Sequence, residues 1–177
     1  VPMRAMGSAP QPEATAAALD VLEAGGNVVD AAITAALVQT AIDPQMCGIA
    51  GFGSCHVHLA DGTHSIIDFH GRAPRAATPT MWEPLLIRES DDGFGFILKG
   101  AVNEVGHESA STPLTLRAFD DVLTRWGTYD LAKAIQPAIG WCEDGFPIRP
   151  HVYNYWNRPS DCGRIPGYRG LAAVPAP

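Results

Sequence analysis

The chain has 177 residues, 46% of them hydrophobic, and a formal net charge of −7. This length suits one ordinary domain, since domains commonly hold about 100–200 residues. The negative charge and the lack of any Lys/Arg cluster argue against a nucleic acid or an anionic membrane as partner, because both need basic groups to neutralise phosphate. The longest apolar run, residues 31–42, is interrupted by polar side chains and falls short of the roughly 20 residues that cross a bilayer. The composition therefore predicts a soluble chain.

Residues 1–4 show no signal peptide, although a removed one would leave no trace. The cytoplasm is thus favoured, with a periplasmic or secreted location left open. The cysteines have neither CxxC spacing nor the density of a disulfide scaffold, which indicates buried thiols at Cys47, Cys55, Cys142 and Cys162. His56 and His58 alternate along a predicted strand, yet no carboxylate or cysteine stands nearby at a zinc spacing. We therefore expect no metal and no cofactor.

Two helices joined by a tight turn are predicted near the start of the chain. An alanine-rich run with helical spacing, residues 14–23, ends at Gly25, because glycine accepts the positive φ that ends many helices. Asn27, with Asp30 three residues later, resembles a capping box and opens a second helix. That helix runs to Pro44, and we expect its small side chains to lie against a sheet. Asp43 is expected to end the helix and nothing else.

A glycine-rich loop and a hairpin follow. Residues 48–53 hold too much glycine for a helix or a strand, so we expect a loop whose backbone approaches another group closely. Residues 55–59 and 65–69 favour β structure and flank a central Asp-Gly at 61–62, the strongest short signal for a β-hairpin. Residues 72–84 contain three prolines and should be extended. A turn is predicted at 91–93, and the structure of the surrounding residues 85–105 is left open.

The last third is predicted to be helical and then irregular. Thr112 and Pro113 resemble an N-cap followed by proline, opening a helix that Gly127 ends. Asp130 should cap a further helix that reaches Gly145 and bends at Pro137. The four tryptophans are expected to be packing residues. Residues 147–177 are rich in Pro and Gly and predict a tail, a linker, or a segment that orders only against another chain.

Several of these motifs occur in an order that resembles the large subunit of the γ-glutamyltransferase (γ-glutamyltranspeptidase) family. The match covers about residues 7–150 and lies in five segments: residues 25–32, 44–53, 68–74, 112–119 and 131–147. We accordingly divide the chain into a large-subunit portion, 1–150, and a Pro/Gly-rich tail or inter-subunit segment, 151–177.

The resemblance implies an α+β fold of the Ntn-hydrolase type, an αββα four-layer sandwich that a second subunit completes. In this family the proenzyme cleaves itself, and the threonine that becomes the N-terminus of the small subunit is the nucleophile. The free α-amine of that threonine acts as its base. This chain would then contain no catalytic residue. Its partners would be the small subunit from the same precursor and a small-molecule amide, with higher oligomers of such heterodimers left open.

Four residues are predicted to line the substrate site. The resemblance places His70 where the family has the arginine that grips the substrate α-carboxylate. An imidazole, mostly neutral near pH 7, cannot reproduce a bidentate guanidinium. Either Arg72, two positions later and on the same strand face, replaces it, or the substrate is not a γ-glutamyl compound. Gly51 belongs to the glycine run, and Phe52 replaces a small residue there and should narrow the pocket.

Three functions remain open on the sequence alone. The first is an Ntn amidohydrolase or acyltransferase whose substrate differs from γ-glutamyl compounds. The second is a true γ-glutamyltransferase acting on glutathione-like substrates through Arg72. The third is a non-catalytic scaffold that kept the fold. Thr63 lies in a sequence similar to the family's cleavage site, but the hairpin pattern accounts for it, so we do not expect Thr63 to be a nucleophile.

Overall fold

The computed structural model describes residues 5–91, 93–104 and 106–156. The chain divides into two compact units. The first unit runs to His70 and resumes at Pro113, whereas the second unit is Gly71–Thr112. Both units contain short helical segments and antiparallel strand pairs, so the expected α+β class is confirmed.

The first unit opens with helices α1, Pro12–Glu23, and α2, Val28–Ile42. Gly25, with a φ of 88°, allows the chain to leave α1, as predicted. The Asn27 side chain accepts hydrogen bonds from the backbone N–H groups of Val29 and Asp30, and the Asp30 carboxylate accepts from the Asn27 N–H. This is the predicted capping box, and it satisfies donors that the first turn of a helix leaves open.

Small side chains let α1 and α2 pack closely. Ala31 of α2 and the half-buried Ala35 belong to a cluster with three buried residues of α1: Ala18, Val21 and Leu22. The expectation that the alanine face lies against a sheet is therefore wrong for these two positions, because helix α1 covers them. The larger core of the unit joins α2 to the later helices and to one face of the hairpin, with Leu37, Val38, Val122 and Leu123 almost completely buried.

The predicted hairpin is confirmed, with each strand starting one residue earlier than expected. Strand β1, Ser54–His58, pairs antiparallel with β2, His64–Asp68. Gly62, with a φ of 88°, supplies the positive φ of the turn. One face contributes Val57 to the core, and the other exposes His56, His58 and His64.

Helix α3, Thr115–Trp126, starts two residues later than predicted. Thr112 does not cap it, since Thr112 lies three residues before the helix and its N–H donates to the carbonyl of Arg72 in an isolated β-bridge. Leu114 stands at the N-cap position without a side-chain cap, and Gly127 ends the helix as expected.

The helix expected from Asp130 to Gly145 forms two separate pieces, α4, Leu131–Ala134, and α5, Gln136–Asp144. Pro137 lies in the first turn of α5, where its missing N–H costs nothing. Proline therefore starts a new helix here instead of bending one helix. Asp130 caps α4 as predicted, by accepting from the Lys133 N–H.

Fully buried Asp30 joins the α1–α2 turn to the α3–α4 connection. Its carboxylate accepts from the Thr128 N–H at 2.8 Å, the Thr128 hydroxyl at 2.6 Å and the Tyr129 N–H at 2.9 Å. Burial alone would raise the pKa of Asp30, but the hydrogen bonds from Thr128, Tyr129 and Asn27 outweigh it, so the pKa lies below the ordinary value. A Cβ at Gly127 would approach Asp30 Oδ1 at 2.8 Å, which explains why glycine suits that position.

Part of the expected irregular tail is helical. Helix α6, Pro150–Trp156, buries Val152 to 2% exposure, and the preceding Arg149 forms an ion pair with Glu13 of α1. The expectation of little regular structure is therefore wrong for 150–156, because these contacts supply a surface for the helix. Residues 157–177, with Cys162, lie outside the described residues. The proposed boundary at residue 150 stays a prediction.

The second unit is mostly turns, 3-10 segments and one short hairpin. Residues 74–83 form successive turns instead of the expected extended chain, because carbonyls of Pro74, Thr78 and Thr80 accept from N–H groups three residues later. Strands β3, Leu86–Glu89, and β4, Phe96–Leu98, pair antiparallel with a register irregularity between Leu86 and Arg88. The predicted turn between them is present, with Gly93 at a φ of 72°.

Little of this second unit is buried within the chain. Leu98 is the single buried hydrophobic among its described residues. Large apolar side chains are exposed instead, namely Leu86, Ile87, Phe94 and Phe96. A unit of this kind gains little stability from its own core, because the hydrophobic effect depends on apolar area removed from water.

Two further observations concern the described part of the chain. It contains no helix long and apolar enough to cross a membrane, and no group of three or more His, Cys, Asp or Glu side chains suited to a metal ion. Of its cysteines, Cys47 and Cys55 are half-buried, whereas Cys142 is exposed, so the expectation of a buried thiol is wrong at Cys142.

Candidate functional site

The glycine loop, residues 48–53, lies between α2 and β1 and is held by backbone hydrogen bonds. The Gly51 N–H donates to the Gly48 carbonyl at 3.1 Å, and the Gly51 carbonyl accepts from the Leu114 N–H at 3.3 Å. A Cβ at Gly51 would come within 3.1 Å of the Gly48 oxygen, and one at Gly53 would meet the Phe69 ring at 3.1 Å. Close backbone approach, as expected from the sequence, therefore explains both glycines.

Phe52 of this loop lies against His70. Their ring centroids are 5.7 Å apart, and the Phe52 residue is 63% exposed. Both the His70 backbone N–H and its ring atom Nδ1 lie within hydrogen-bond distance of Asp68 Oδ1, at 3.0 and 2.9 Å. A carboxylate that accepts from Nδ1–H leaves Nε2 as the atom that can meet a ligand. The arrangement offers an aromatic face and an oriented imidazole.

Arg72 belongs to the second unit. Its backbone carbonyl accepts from the Thr112 N–H at 3.0 Å, and the residue is exposed. Strand β2 ends at Asp68, so the expectation that positions 70 and 72 share one strand face is wrong. Of the four predicted site residues, Gly51 and Phe52 thus belong to one loop, His70 lies against Phe52, and Arg72 belongs to the other unit.

Thr63 occupies the hairpin turn. Its N–H donates to the Asp61 carboxylate at 2.8 Å, and its carbonyl accepts from the Leu59 N–H at 2.9 Å. The backbone hydrogen bond from Thr63 is the main reason why the pKa of Asp61 lies below its usual value. A Thr63 amide engaged in this way belongs to an intact turn, in agreement with the hairpin interpretation.

The thiols nearest the glycine loop are not activated. Burial, followed by the charge of Asp43, raises the pKa of the Cys47 thiol, and burial raises that of Cys55. Cysteine nucleophiles need the opposite shift, since the thiolate is the reactive form.

The sequence interpretation missed a polar cluster at the end of α2. Asp43, 5% exposed, accepts through Oδ2 from Nε2 of Gln11 and of Gln39, each at 3.0 Å, and through Oδ1 from Nε2 of Gln45. His151 Nε2 lies 4.0 Å from Oδ1. The view that Asp43 only ends the helix is therefore wrong. Gln39 and Gln45, close to Asp43 in sequence, could have indicated this cluster. Gln11 and His151 are distant in sequence and come close to Asp43 only in the folded chain.

The comparisons agree with the order of motifs. Residues 14–166 match the family described as Gamma-glutamyltranspeptidase. The chain is 39% identical over 168 residues to the Acylase ACY 1 proenzyme of Pseudomonas sp. (strain V22), covering 94% of this chain and 29% of that protein. It is 34% identical over 143 residues to the Glutathione hydrolase proenzyme of Bacillus subtilis (strain 168), covering 77% of this chain and 22% of that protein.

A solved structure supports the same assignment. The crystal structure of Helicobacter pylori gamma-glutamyltranspeptidase superposes with a TM-score of 0.78 at 26% identity, covering 96% of this chain and 47% of that one. The chain spans less than a third of the length of the acylase and glutathione hydrolase proenzymes that it matches. With its α+β structure, its sequence match and its structural likeness all in agreement, the chain belongs to the gamma-glutamyltranspeptidase family of Ntn hydrolases.

Proposed function

We propose that this chain forms part of the large subunit of an Ntn amidohydrolase or acyltransferase that acts on a small amide. Family membership is the observation that carries the proposal. The relative named as an acylase matches at higher identity and coverage than the one named as a glutathione hydrolase, which favours an acyl substrate other than a γ-glutamyl group. Both relatives are proenzymes much longer than this chain, as expected if the nucleophile lies on a small subunit from the same precursor.

The proposed reaction uses an N-terminal threonine of that small subunit. Its α-amine takes the hydroxyl proton while the oxygen attacks the amide carbon, and the tetrahedral intermediate then expels the amine, which leaves with the proton. The acyl–threonine ester that remains is cleaved by water or transferred to an acceptor amine. The role of this chain is to bind the acyl group, with Gly51, Phe52 and His70 as proposed pocket residues.

A second candidate is γ-glutamyl transfer or glutathione hydrolysis, with Arg72 as the carboxylate ligand. The relative from Bacillus subtilis favours it by its name. The two candidates differ in the acyl group that they accept, so kinetics of the complete, processed protein on γ-glutamyl and other acyl anilides separate them.

The chain alone should have no amidase activity, because the proposed nucleophile is not part of it. We expect residues 1–177, expressed by themselves, to give no turnover of γ-glutamyl or other acyl anilides above buffer, whereas the processed full-length protein turns over at least one of them. Thr63→Ala serves as the control variant. Turnover by the isolated chain that Thr63→Ala abolishes would contradict the proposal.

We also expect the isolated chain to depend on its partner for stability. The exposed apolar side chains of the second unit, with Phe96 and Ile87 both more than half exposed, are proposed to be covered by the small subunit. The isolated chain should aggregate or bind a hydrophobic dye strongly, and the complex should not. A monomeric isolated chain with one sharp, cooperative thermal transition and no dye binding would argue against this prediction.

A further inference from the structure

The buried Asp43 carboxylate joins four segments of the first unit. Its three glutamine partners come from the N-cap of α1, the last turn of α2 and the loop after α2, and His151 belongs to α6. All three amides donate to it, so both carboxylate oxygens act as acceptors. A neutral side chain of the same size does not offer two acceptor oxygens, which explains why an aspartate suits this position.

The backbone of Asp43 also holds the start of the loop that follows. Its carbonyl accepts from the N–H groups of Met46 at 3.0 Å and Cys47 at 3.2 Å. The Cys47 Sγ lies 3.6 Å from that carbonyl oxygen and 3.7 Å from the backbone carbonyl oxygen of Gln39. Residues 43–47 therefore form a turn held against the end of α2 by backbone hydrogen bonds. The hydrogen bond from the Gln45 side chain to the Asp43 carboxylate stabilises the same turn further.

This turn leads directly into the glycine loop. The far end of the loop is held by separate contacts, since the Gly51 carbonyl accepts from Leu114 and the Gly53 carbonyl accepts from the Phe69 N–H at 3.0 Å. The loop thus lies between two anchors, and Asp43 organises the first one. Loss of that anchor would allow the backbone at Gly51 and the ring of Phe52 to shift while the hairpin stayed in place.

We propose that Asp43 is a positioning residue that holds the glycine loop in its substrate-binding geometry through Gln45 and the turn at 43–47. The inference rests on the proposed function for its kinetic consequence, but the structural coupling between Asp43 and the loop does not. Among the described residues, the Asp43 side chain forms no hydrogen bond or ion pair with Gly51, Phe52 or His70, so its proposed effect reaches the substrate through the loop.

The first test compares two amides on the same carboxylate in the complete, processed protein. Gln45→Ala removes the hydrogen bond between Asp43 and the turn at 43–47 that leads into the loop. Gln11→Ala removes the hydrogen bond between Asp43 and the N-cap of α1. We expect Gln45→Ala to raise KM for the best acyl anilide about tenfold with kcat nearly unchanged, because misplacement of binding groups weakens ground-state and transition-state binding alike. Gln11→Ala should leave KM unchanged. Equal effects of the two variants would overturn the proposal.

The second test uses the two buried aspartates at opposite ends of α2, Asp30 in its first turn and Asp43 directly after its last residue. Asp43→Ala should raise KM and speed amide hydrogen exchange in residues 44–53. The matched control Asp30→Ala should lower thermal stability without changing either quantity, since Asp30 lies at the opposite end of α2 and bonds to Thr128. If both variants change KM in proportion to their loss of stability, Asp43 is merely structural and the proposal is wrong.

Failure of the proposed function is distinguishable from failure of this inference. If the processed wild-type protein turns over no acyl anilide, the proposed function fails, and hydrogen exchange alone decides the role of Asp43. Faster exchange of 44–53 in Gln45→Ala and not in Gln11→Ala would then support the coupling, and unchanged exchange would refute it. If Asp43→Ala does not fold, the two glutamine variants still decide.

Discussion

His70→Arg in the assembled protein should raise kcat/KM for a γ-glutamyl anilide by about tenfold to a hundredfold. A hydrogen bond to a charged group contributes about 1.5–3 kcal/mol, and each 1.36 kcal/mol corresponds to about a factor of ten in rate. A guanidinium at position 70 would offer the substrate carboxylate two parallel donors, which the imidazole cannot. The wild-type protein should be a poor γ-glutamyl transferase from the start.

Arg72→Ala separates this prediction from its alternative. If Arg72 bound the substrate carboxylate, its loss would weaken substrate binding by about 2–5 kcal/mol, as for truncation of one member of a buried charge pair. Arg72→Lys would then recover only part of the activity. We expect little effect of either variant, because Arg72 does not extend strand β2, whereas His70 lies against Phe52 and is oriented by Asp68.

The acyl preference of the native protein provides the complementary test. His70→Ala and Phe52→Ala should change which small acyl anilides are accepted, since the two rings together form one side of the proposed pocket. The measurement is kcat/KM across a panel of γ-glutamyl, aliphatic and aromatic acyl anilides. Efficient γ-glutamyl transfer that is insensitive to changes at positions 52, 70 and 72 would refute the whole pocket assignment.

The elements that were predicted correctly depend on neighbours in sequence. The capping box at Asn27, the positive φ at Gly25 and Gly62, and the cap at Asp130 are each decided within about four residues. The hairpin was likewise predicted from the Asp-Gly at its turn, with each strand displaced by one residue. Helix caps and turns of this kind can be predicted from the sequence because no distant contact competes with them.

The errors share a different cause, namely contacts between residues far apart in sequence. Thr112 pairs through its backbone with Arg72, forty positions earlier, and α3 starts only at Thr115. Residues 150–156 formed a helix because α1 and α2 offer Glu13, Gln11 and Asp43 as partners. The polar cluster around Asp43 likewise depends on contacts with Gln11 and His151, which are distant from it in sequence. In the candidate site, the family resemblance assigned Phe52 and His70 to one substrate pocket, and the contact between their rings depends on the fold.

Substitution of Asp30 should cause the largest loss of stability of any single change considered for this chain. Asp30→Ala leaves the Thr128 hydroxyl and the N–H groups of Thr128 and Tyr129 without their acceptor in a buried position. An unsatisfied buried polar group costs about 1–3 kcal/mol, and more where a charge is involved, so we expect a loss of about 3 kcal/mol or more. Thermal and urea unfolding of the complex measure it, with exposed Asp20→Ala on α1 as the control.

The pH dependence of this loss follows from the lowered pKa of Asp30. The folded-state pKa lies below the ordinary value of an aspartate, so the ionised carboxylate contributes its full stabilisation at any pH above that ordinary value. As the pH falls through the folded-state pKa, the carboxylate takes up a proton and this contribution disappears. The difference in unfolding midpoint between wild type and Asp30→Asn, which keeps the shape and removes the charge, should therefore stay constant from neutral pH to about 5 and narrow below 3.8. A difference that widens on acidification would mean that the Asp30 carboxylate is not held in its ionised form by Thr128 and Tyr129.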